Sequence, residues 1–233
     1  MKKALSIALS AIAMFCLLVG AIMTCVEWVA YDTNFYSQQY TRLGIEAYSG
    51  LAEGELMPLT QRIIDYLADR QPDLNMQVTV DGQTQQAFDD RELAHMSDVR
   101  ALFRTGGTVR LVAWVICAAL ILLLIILRNR VRTLLLGALI GCGLFLLALL
   151  TLFVWGAIDF TGLFTLFHRM SFSNDLWLLD PRTELLIRLV PEQFFIACAT
   201  RIALYLAAWI AIPAVGFGIA LHFLPRRAKE EAK

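Results

Sequence analysis

Residues 111–158 read LVAWVICAALILLLIILRNRVRTLLLGALIGCGLFLLALLTLFVWGAI, two long apolar runs joined by a short segment that contains three arginines. Neither run contains a charged residue, and each has close to the roughly 20 helical residues that cross a hydrocarbon core of about 30 Å. Two more such runs lie at residues 4–26 and 202–224. The chain, 58% hydrophobic and 17% charged, is therefore predicted to cross a membrane four times.

The basic residues predict how these spans are oriented. Lys2 and Lys3 precede the first span, Arg128, Arg130 and Arg132 join the second and third, and four more basic residues follow the fourth. If the spans alternate in direction, one side carries nine basic and two acidic residues, and the other carries eleven basic and eighteen acidic residues. Because basic residues are enriched in cytoplasmic loops, both termini are expected in the cytoplasm.

The predicted fold class is mainly α, a four-helix transmembrane bundle with a small extracytoplasmic α(+β) cap. The expected domains are transmembrane helix 1 in 1–28, the cap in 29–110, transmembrane helices 2 and 3 with a short cytoplasmic turn in 111–158, a second extracytoplasmic or interfacial segment in 159–201, and transmembrane helix 4 with a cytoplasmic tail in 202–233. The first span is expected to remain as an anchor, because its 23 uncharged residues exceed a signal-peptide core and no Ala-x-Ala site follows.

The cap is predicted to contain three helices and one strand. Apolar residues at helical spacing indicate a helix after residues 33–34 and a second from 56 to 70. Residues 75–80 alternate and end in Asp81-Gly82, which predicts a strand and a tight turn. A third helix is expected to start near residue 89 or 90 and to be broken by Gly106-Gly107 before the second span.

This third helix contains the first of two candidate catalytic histidines. Glu92, His95 and Asp98 are spaced by three residues, so in a helix they form one polar ridge. A neighbouring carboxylate can fix the tautomer of an imidazole and stabilise its charged form. Histidine exchanges a proton near neutral pH, so the ridge is a candidate for acid–base chemistry, although a surface histidine also lies near acids by composition alone.

The second outer segment contains the other candidate, His168. It lies with Arg169 in a run of Phe, Leu and Met residues, and Asn174, Asp175 and Trp177 follow. Polar groups in or near the membrane interface are costly and often functional. An interfacial aromatic belt with ordinary solvated polar residues would give the same composition.

Other kinds of catalytic site have little support in the sequence. The five cysteines lie within or at the edges of apolar stretches, with no metal-ligand or Cys-x-x-Cys spacing, and are expected to act as small hydrophobic residues. Gly-x-Ser-x-Gly is absent, so no serine triad is predicted. His222, at the inner end of the fourth span, is expected to face lipid headgroups.

Two segments resemble the signature regions of a known family. They are ELAHMSDV at residues 92–99 and FHRMSFSNDLW at 167–177, and the second continues through LDP at 179–181 and PEQFF at 191–195. Together with the four spans, they resemble the small bacterial membrane family that contains the lipoprotein intramolecular transacylase. The two histidines of the family's signature regions match His95 and His168.

The resemblance implies a defined reaction. Family members move the sn-2 acyl chain of a diacylglyceryl lipoprotein onto the α-amino group of its N-terminal cysteine, which gives the lyso-form lipoprotein, and they need no cofactor or metal. His95 is the expected base, because a neighbouring carboxylate could orient it, and His168 is the expected acid or oxyanion stabiliser. The residues expected to support this pair or shape its pocket are Glu92, Asp98, Arg169, Asn174, Asp175 and Trp177.

The resemblance also implies the partners and the location. These are diacylglyceryl-modified lipoproteins and membrane lipid, in the bacterial cytoplasmic membrane with the active site on the extracytoplasmic side. Nucleic-acid binding is not expected, because the basic residues cluster at the inner membrane surface. Two alternatives stay open: a metal-dependent lipid or lipopeptide hydrolase, in which Glu92 or Asp98 would be a third ligand, and a non-enzymatic envelope sensor or binding protein.

Overall fold

The computed structural model describes residues 3–127 and 130–224, which are mainly helical. Several residues on which the predicted orientation depends lie outside this part of the chain: Lys2, Arg128, Arg226, Arg227, Lys229 and Lys233. The elements are α1 (Lys3–Ala30), α2 (Thr33–Leu43), α3 (Ile45–Ser49), α4 (Leu56–Leu67), β1 (Gln77–Val80), β2 (Gln83–Gln86), α5 (Asp90–Ile126), α6 (Val131–Ile158), α7 (Phe160–Ser171), α8 (Leu185–Leu189) and α9 (Glu192–Phe223).

The four predicted spans are confirmed as the long helices α1, α5, α6 and α9, each apolar and long enough to cross a membrane. Many of their large apolar side chains are exposed, as Leu147 and Ile212 are at 64% and 73%. Such exposure is unfavourable in water and suits contact with lipid. The chain is therefore a membrane protein. At 37 residues α5 is about 55 Å long, so the part before Leu111 extends beyond the hydrocarbon core.

The predicted break at Gly106-Gly107 is wrong, because α5 runs through both glycines without interruption. Each glycine costs a helix interior only about 1 kcal/mol relative to alanine, and no proline removes a hydrogen bond. The preceding turns are also fixed from outside the helix, since Arg100 and Arg104 both bind the carboxylate of Asp69. The penalty of the two glycines is too small to end a helix that is anchored in this way.

The chain divides into two compact units, and the first comprises the described parts of Met1–Thr24, Val109–Phe153 and Ala203–Lys233. Its buried core includes Met14, Leu18, Ala138, Cys142, Phe145 and Ile210. Polar side chains also join its helices, as the Ser10 hydroxyl donates to the backbone oxygen of Leu134 at 2.6 Å. Interhelical hydrogen bonds of this kind and close helix packing stabilise helices in lipid, where no hydrophobic force drives them together.

The second unit comprises Cys25–Thr108 and Val154–Ile202 and contains the short helices and the hairpin. The predicted strand and turn are confirmed, since β1 pairs with β2 in antiparallel register. Asp81 and Gly82 have φ values of 51° and 80°, the left-handed conformation that a two-residue hairpin turn of type I′ requires. The first predicted cap helix was expected to continue through Ile45 and Ala47, but Gly44 ends α2 with φ of 65° and α3 begins immediately after it.

An aromatic cluster forms part of the core of this second unit. Phe194, at the start of α9, lies 4.9–5.9 Å from the rings of Phe35, Tyr36 and Tyr40 on α2. Near the end of the same unit, the Arg201 guanidinium pairs at 3.0 Å with Asp32, the N-cap residue of α2. The cluster and the ion pair together connect α2 to the first turns of α9.

Candidate active site

The N-terminus of α5 is fixed by a reciprocal cap between Asp89 and Glu92. The Asp89 carboxylate accepts a hydrogen bond from the Glu92 N–H at 2.8 Å, and the Glu92 carboxylate accepts one from the Asp89 N–H at 2.9 Å. The other Glu92 oxygen accepts from the N–H of Leu186 at 2.6 Å, so one carboxylate connects α5 to α8. Glu92 is 2% exposed, and burial raises the pKa of its carboxyl above the usual value.

His95 lies one turn further along α5, about four turns before the apolar part of the helix begins at Leu111. The residue is 7% exposed, and its Nδ1 has no hydrogen-bond partner among the described residues. Burial and the nearby His168 lower the pKa of His95 to about 4, against a smaller opposing effect of Asp98. His95 is therefore a neutral imidazole at pH 7, and its buried Nδ1 is unpaired within the part of the chain that the structure describes.

His168 lies in the last turn of α7, a helix capped at its N-terminus by the Asp159 carboxylate. Its Nδ1 is 2.8 Å from the backbone oxygen of Phe164, one turn earlier. Because a carbonyl oxygen only accepts, Nδ1 must carry the proton and donate it, which leaves the lone pair of the neutral ring on Nε2. Burial lowers the pKa of His168 below its usual value, and this hydrogen bond partly opposes the effect.

The two histidines meet in the second unit. Their ring centroids are 6.3 Å apart with the planes at 34°. Phe172 lies against both rings, at 5.3 Å from His95 and 5.7 Å from His168. Phe164 and Trp177 lie 4.1 Å and 4.9 Å from the His168 ring. The pair is thus two neutral imidazoles among aromatic walls, an arrangement suited to proton transfer on an apolar substrate.

A network of hydrogen bonds holds the loop that contains Trp177. The Trp177 indole donates to the backbone oxygen of Asn174 at 3.0 Å. The Asn174 amide in turn donates to the Asp98 carboxylate at 2.9 Å. Asp98 is one turn beyond His95 in α5, so the helix that carries one histidine also tethers the loop whose indole contacts the other.

All eight residues predicted for the site lie in this unit: Glu92, His95, Asp98, His168, Arg169, Asn174, Asp175 and Trp177. The structure brings the two histidines and Trp177 into ring contact, whereas Glu92 and Asp98 hydrogen-bond to groups other than His95. Arg169 is exposed and has no partner among the described residues. Asp175 has an exposed side chain and contributes its backbone oxygen, which accepts from Arg91.

Sequence reasoning missed four residues of this region: Phe164, Phe172, Arg91 and Glu184. Phe164 precedes His168 by four residues, so helical spacing was a signal that could have identified it. Arg91 and Glu184 have no such signal. Arg91 reaches backbone oxygens 84 and 87 residues away, and Glu184 is a carboxylate buried to 4% exposure beside it.

The metal-dependent hydrolase alternative requires three side chains that together could bind a metal ion. Within residues 3–127 and 130–224, no group of three or more His, Cys, Asp or Glu side chains is arranged to hold a metal ion. The five cysteines are free thiols. A third ligand from Glu92 or Asp98, which that alternative requires, therefore has no support among the described side chains.

Comparison with known proteins identifies the family. A family model described as lipoprotein intramolecular transacylase Lit matches residues 11–195. Among solved structures, the chain is similar to the membrane integral lipoprotein intramolecular transacylase Lit from Bacillus cereus, with 20% identity, a TM-score of 0.75, and coverage of 95% of this chain and 98% of that one. Structures of that protein with one histidine changed to arginine or to alanine match at 20% identity and TM-score 0.71, over 94% of this chain and 93% and 94% of theirs.

Comparison with curated proteins gives no match. The structural likeness confirms the predicted fold class, and the family match confirms the resemblance seen in the two signature segments. Because the family model matches most of the chain, the chain belongs to the lipoprotein intramolecular transacylase family, a family of membrane acyltransferases.

Proposed function

We propose that this chain moves the sn-2 acyl chain of a diacylglyceryl lipoprotein onto the α-amino group of its N-terminal cysteine by histidine acid–base catalysis. The product is the lyso-form lipoprotein. The observation that carries the proposal is the pairing of the His95 and His168 rings at 6.3 Å in a member of this family. In this unit, a neutral histidine with a lone pair on Nε2 and a second neutral histidine with an N–H to donate lie close enough to act on one substrate.

His168 is the base in this mechanism. Its Nδ1 proton is held by the Phe164 carbonyl, so Nε2 carries the free lone pair. As the α-amino nitrogen forms a bond to the carbonyl carbon of the sn-2 ester, Nε2 takes a proton from that nitrogen. The resulting imidazolium returns the proton to the sn-2 oxygen as the bond between that oxygen and the acyl carbon breaks. The proton that leaves the amine thus ends on the glycerol oxygen. Because the exchange of an ester for an amide is downhill, no external energy source is needed.

His95 stabilises the oxyanion that forms on the acyl carbonyl oxygen. Its neutral ring has one N–H to donate, and its buried Nδ1 has no hydrogen-bond partner among the described residues. A donor that is already in place when charge develops is worth about 10²–10³ in rate. These roles reverse the expectation from sequence, because the carboxylates that were to orient His95 hydrogen-bond elsewhere.

The aromatic surroundings favour transfer to the amine over hydrolysis. Phe164, Phe172 and Trp177 flank the His168 ring, and a water-poor site limits attack by water on the ester. The outer face of α7 is apolar, with Phe167 50% and Met170 78% exposed. Such a face suits the interface of a bilayer, where the acyl chains of a lipoprotein lie.

The proposed location follows from the positive-inside rule. The termini are in the cytoplasm and the histidine pair is on the extracytoplasmic side of the bacterial cytoplasmic membrane, where lipoproteins display their lipid-modified ends. We propose the same division of the chain as the sequence predicts: four spans, a cap, a second outer segment and a cytoplasmic tail. The partners are diacylglyceryl-modified lipoproteins and membrane lipid.

Mass spectrometry of a synthetic diacylglyceryl lipopeptide, incubated with the purified chain in detergent with and without EDTA, tests the proposal. Transfer keeps the total mass constant, while fragment ions show one acyl chain on the cysteine nitrogen. We expect this isomer from the wild type and its loss in His95→Gln and His168→Gln. Release of a fatty acid would indicate a hydrolase, activity abolished by EDTA would indicate a metal enzyme, and an unchanged lipopeptide would favour a binding role.

A further inference from the structure

Three polar residues form a stripe on α5 that faces one stretch of the second outer segment. Arg91, His95 and Asp98 are spaced by four and three residues, so they share a face of the helix. Each contacts the stretch 168–178: Arg91 through backbone oxygens, His95 through the His168 ring, and Asp98 through an amide. His95 is therefore bracketed by two tethers, Arg91 four residues before it and Asp98 three residues after it.

Arg91 makes the first of these tethers. One terminal nitrogen of its guanidinium donates to the backbone oxygen of Asp175 at 3.0 Å and to that of Leu178 at 2.8 Å. Its Nε lies 3.7 Å from the carboxylate of Glu184, whose side chain is 5% exposed. That carboxylate also accepts a hydrogen bond from the backbone N–H of Asp180. Arg91 thus binds the loop directly through two backbone oxygens. It also offsets the charge of the buried Glu184 carboxylate, which binds the same loop at Asp180.

The loop in question has no regular structure of its own to fix it. No helix or strand is present between the end of α7 at Ser171 and the start of α8 at Leu185. In the sequence, Trp177 lies between Asp175 and Leu178, whose backbone oxygens accept hydrogen bonds from Arg91. Its indole is 4.9 Å from the His168 ring. Backbone hydrogen bonds from the Leu178 N–H to the Asp175 oxygen and from the Leu179 N–H to the Trp177 oxygen form a local turn, and side-chain contacts tether that turn to α5.

We propose that Arg91 is a positioning residue for the transacylation, which holds the 174–180 loop so that Trp177 stays against His168. The inference rests on the proposed function, because it assigns Arg91 a task in that reaction. Arginine suits the task because its planar group offers several donors in fixed directions, whereas lysine offers a single charged centre. Without Arg91, the Glu184 carboxylate loses its counter-charge in a buried position, which favours release of the loop.

Fluorine NMR of the full-length chain in detergent, labelled with 5-fluorotryptophan, tests this directly. The chain has five tryptophans, and Trp177→Phe identifies the signal of Trp177. The variants are Arg91→Gln and Arg91→Lys, and acyl transfer is measured on the same samples. Arg104→Gln is the matched control, because it removes an arginine of the same helix that binds the exposed Asp69 carboxylate.

In Arg91→Gln we expect the Trp177 signal to shift while the other four stay in place, and transfer to fall about 10- to 100-fold, as for a displaced catalytic geometry. Arg91→Lys should partly restore the position of the Trp177 signal and the rate of transfer. Arg104→Gln should match the wild type in both measurements. A Trp177 signal that Arg91→Gln leaves unmoved, or that Arg104→Gln moves equally, would overturn the inference. A wild-type chain that makes no N-acylated product would instead overturn the proposed function.

Discussion

Nδ1 of His168 donates a 2.8 Å hydrogen bond to the backbone oxygen of Phe164, one turn earlier in the same helix. The tautomer of this histidine is therefore set by the backbone of α7 and not by a carboxylate. A carboxylate partner would raise the pKa of the ring, whereas burial here lowers it. Both histidines of the pair are consequently neutral at pH 7; His168 has its lone pair fixed on Nε2, and His95 has a buried Nδ1 without a hydrogen-bond partner among the described residues.

Replacement of either histidine should remove most of the acyl transfer. We expect His168→Gln and His95→Gln each to lower the rate about 10²- to 10⁴-fold, because each removes one participant in the proton transfer or charge stabilisation. Rates come from mass spectrometry of the lipopeptide product, and circular dichroism checks that the variants fold. His222→Gln is the control and should keep wild-type activity. A His168→Gln variant within about threefold of the wild type would refute the assigned role, given that expected range.

Acid should destabilise the protein partly through His95. Its pKa is about 4 in the folded chain and near 6.5 when unfolded, so between these values the unfolded state binds more protons. Stability then rises with pH across this window, and acidification from pH 6.5 to 4 should cost up to about 3 kcal/mol. Glu92, whose pKa is raised, acts in the opposite direction.

The contribution of His95 is isolated by comparison with His95→Gln. Thermal unfolding in detergent, followed by circular dichroism between pH 4 and 7, should show a midpoint that falls more steeply with acid in the wild type than in the variant. Equal slopes would mean that His95 titrates normally in the folded chain.

Removal of the Glu92 carboxylate should destabilise the second unit. In Glu92→Ala the N–H groups of Asp89 and Leu186 lose their acceptor, and the donor on Leu186, which is buried, costs about 1–3 kcal/mol when unsatisfied. We expect a lower unfolding midpoint and lower transfer activity. Glu53→Ala is the matched control, since that side chain is exposed. If both variants unfold at the same temperature, Glu92 does not connect α5 to α8 in the way described.

Close packing of α1 against α6 should tolerate no side chain at Gly137. A Cβ there would overlap the backbone oxygen of Ile7 and the Ser10 side chain, whereas one at Gly143 meets nothing within 4 Å. We expect Gly137→Ala to destabilise the chain by about 1–3 kcal/mol through overpacking. Gly143→Ala should be neutral or stabilising by up to about 1 kcal/mol, through helix propensity. Thermal unfolding in detergent measures the midpoint of each variant. A lower midpoint for Gly143→Ala than for Gly137→Ala would contradict the close packing of α1 against α6.

Sequence alone determined the features that depend on neighbouring residues. The four spans follow from the length of uncharged apolar runs, and the first strand and the turn of the hairpin follow from alternation that ends in Asp81-Gly82. The two signature segments identified the family and named His95 and His168 before any contact was known. The break at Gly106-Gly107 was wrong because each glycine costs a helix only about 1 kcal/mol relative to alanine and, unlike proline, keeps its backbone N–H.

Tertiary structure alone decided how the site is assembled. The hydrogen bond from Leu186 to Glu92 joins residues 94 apart, and that from Arg91 to Leu178 joins residues 87 apart. Helical spacing suggested that Glu92 would orient His95, but a buried carboxylate binds the donors that folding brings to it, and these were backbone N–H groups. Local sequence patterns do not encode such long-range contacts, so the partners of Glu92, the contacts of Arg91 and the distance between the two histidines could be read only from the folded chain.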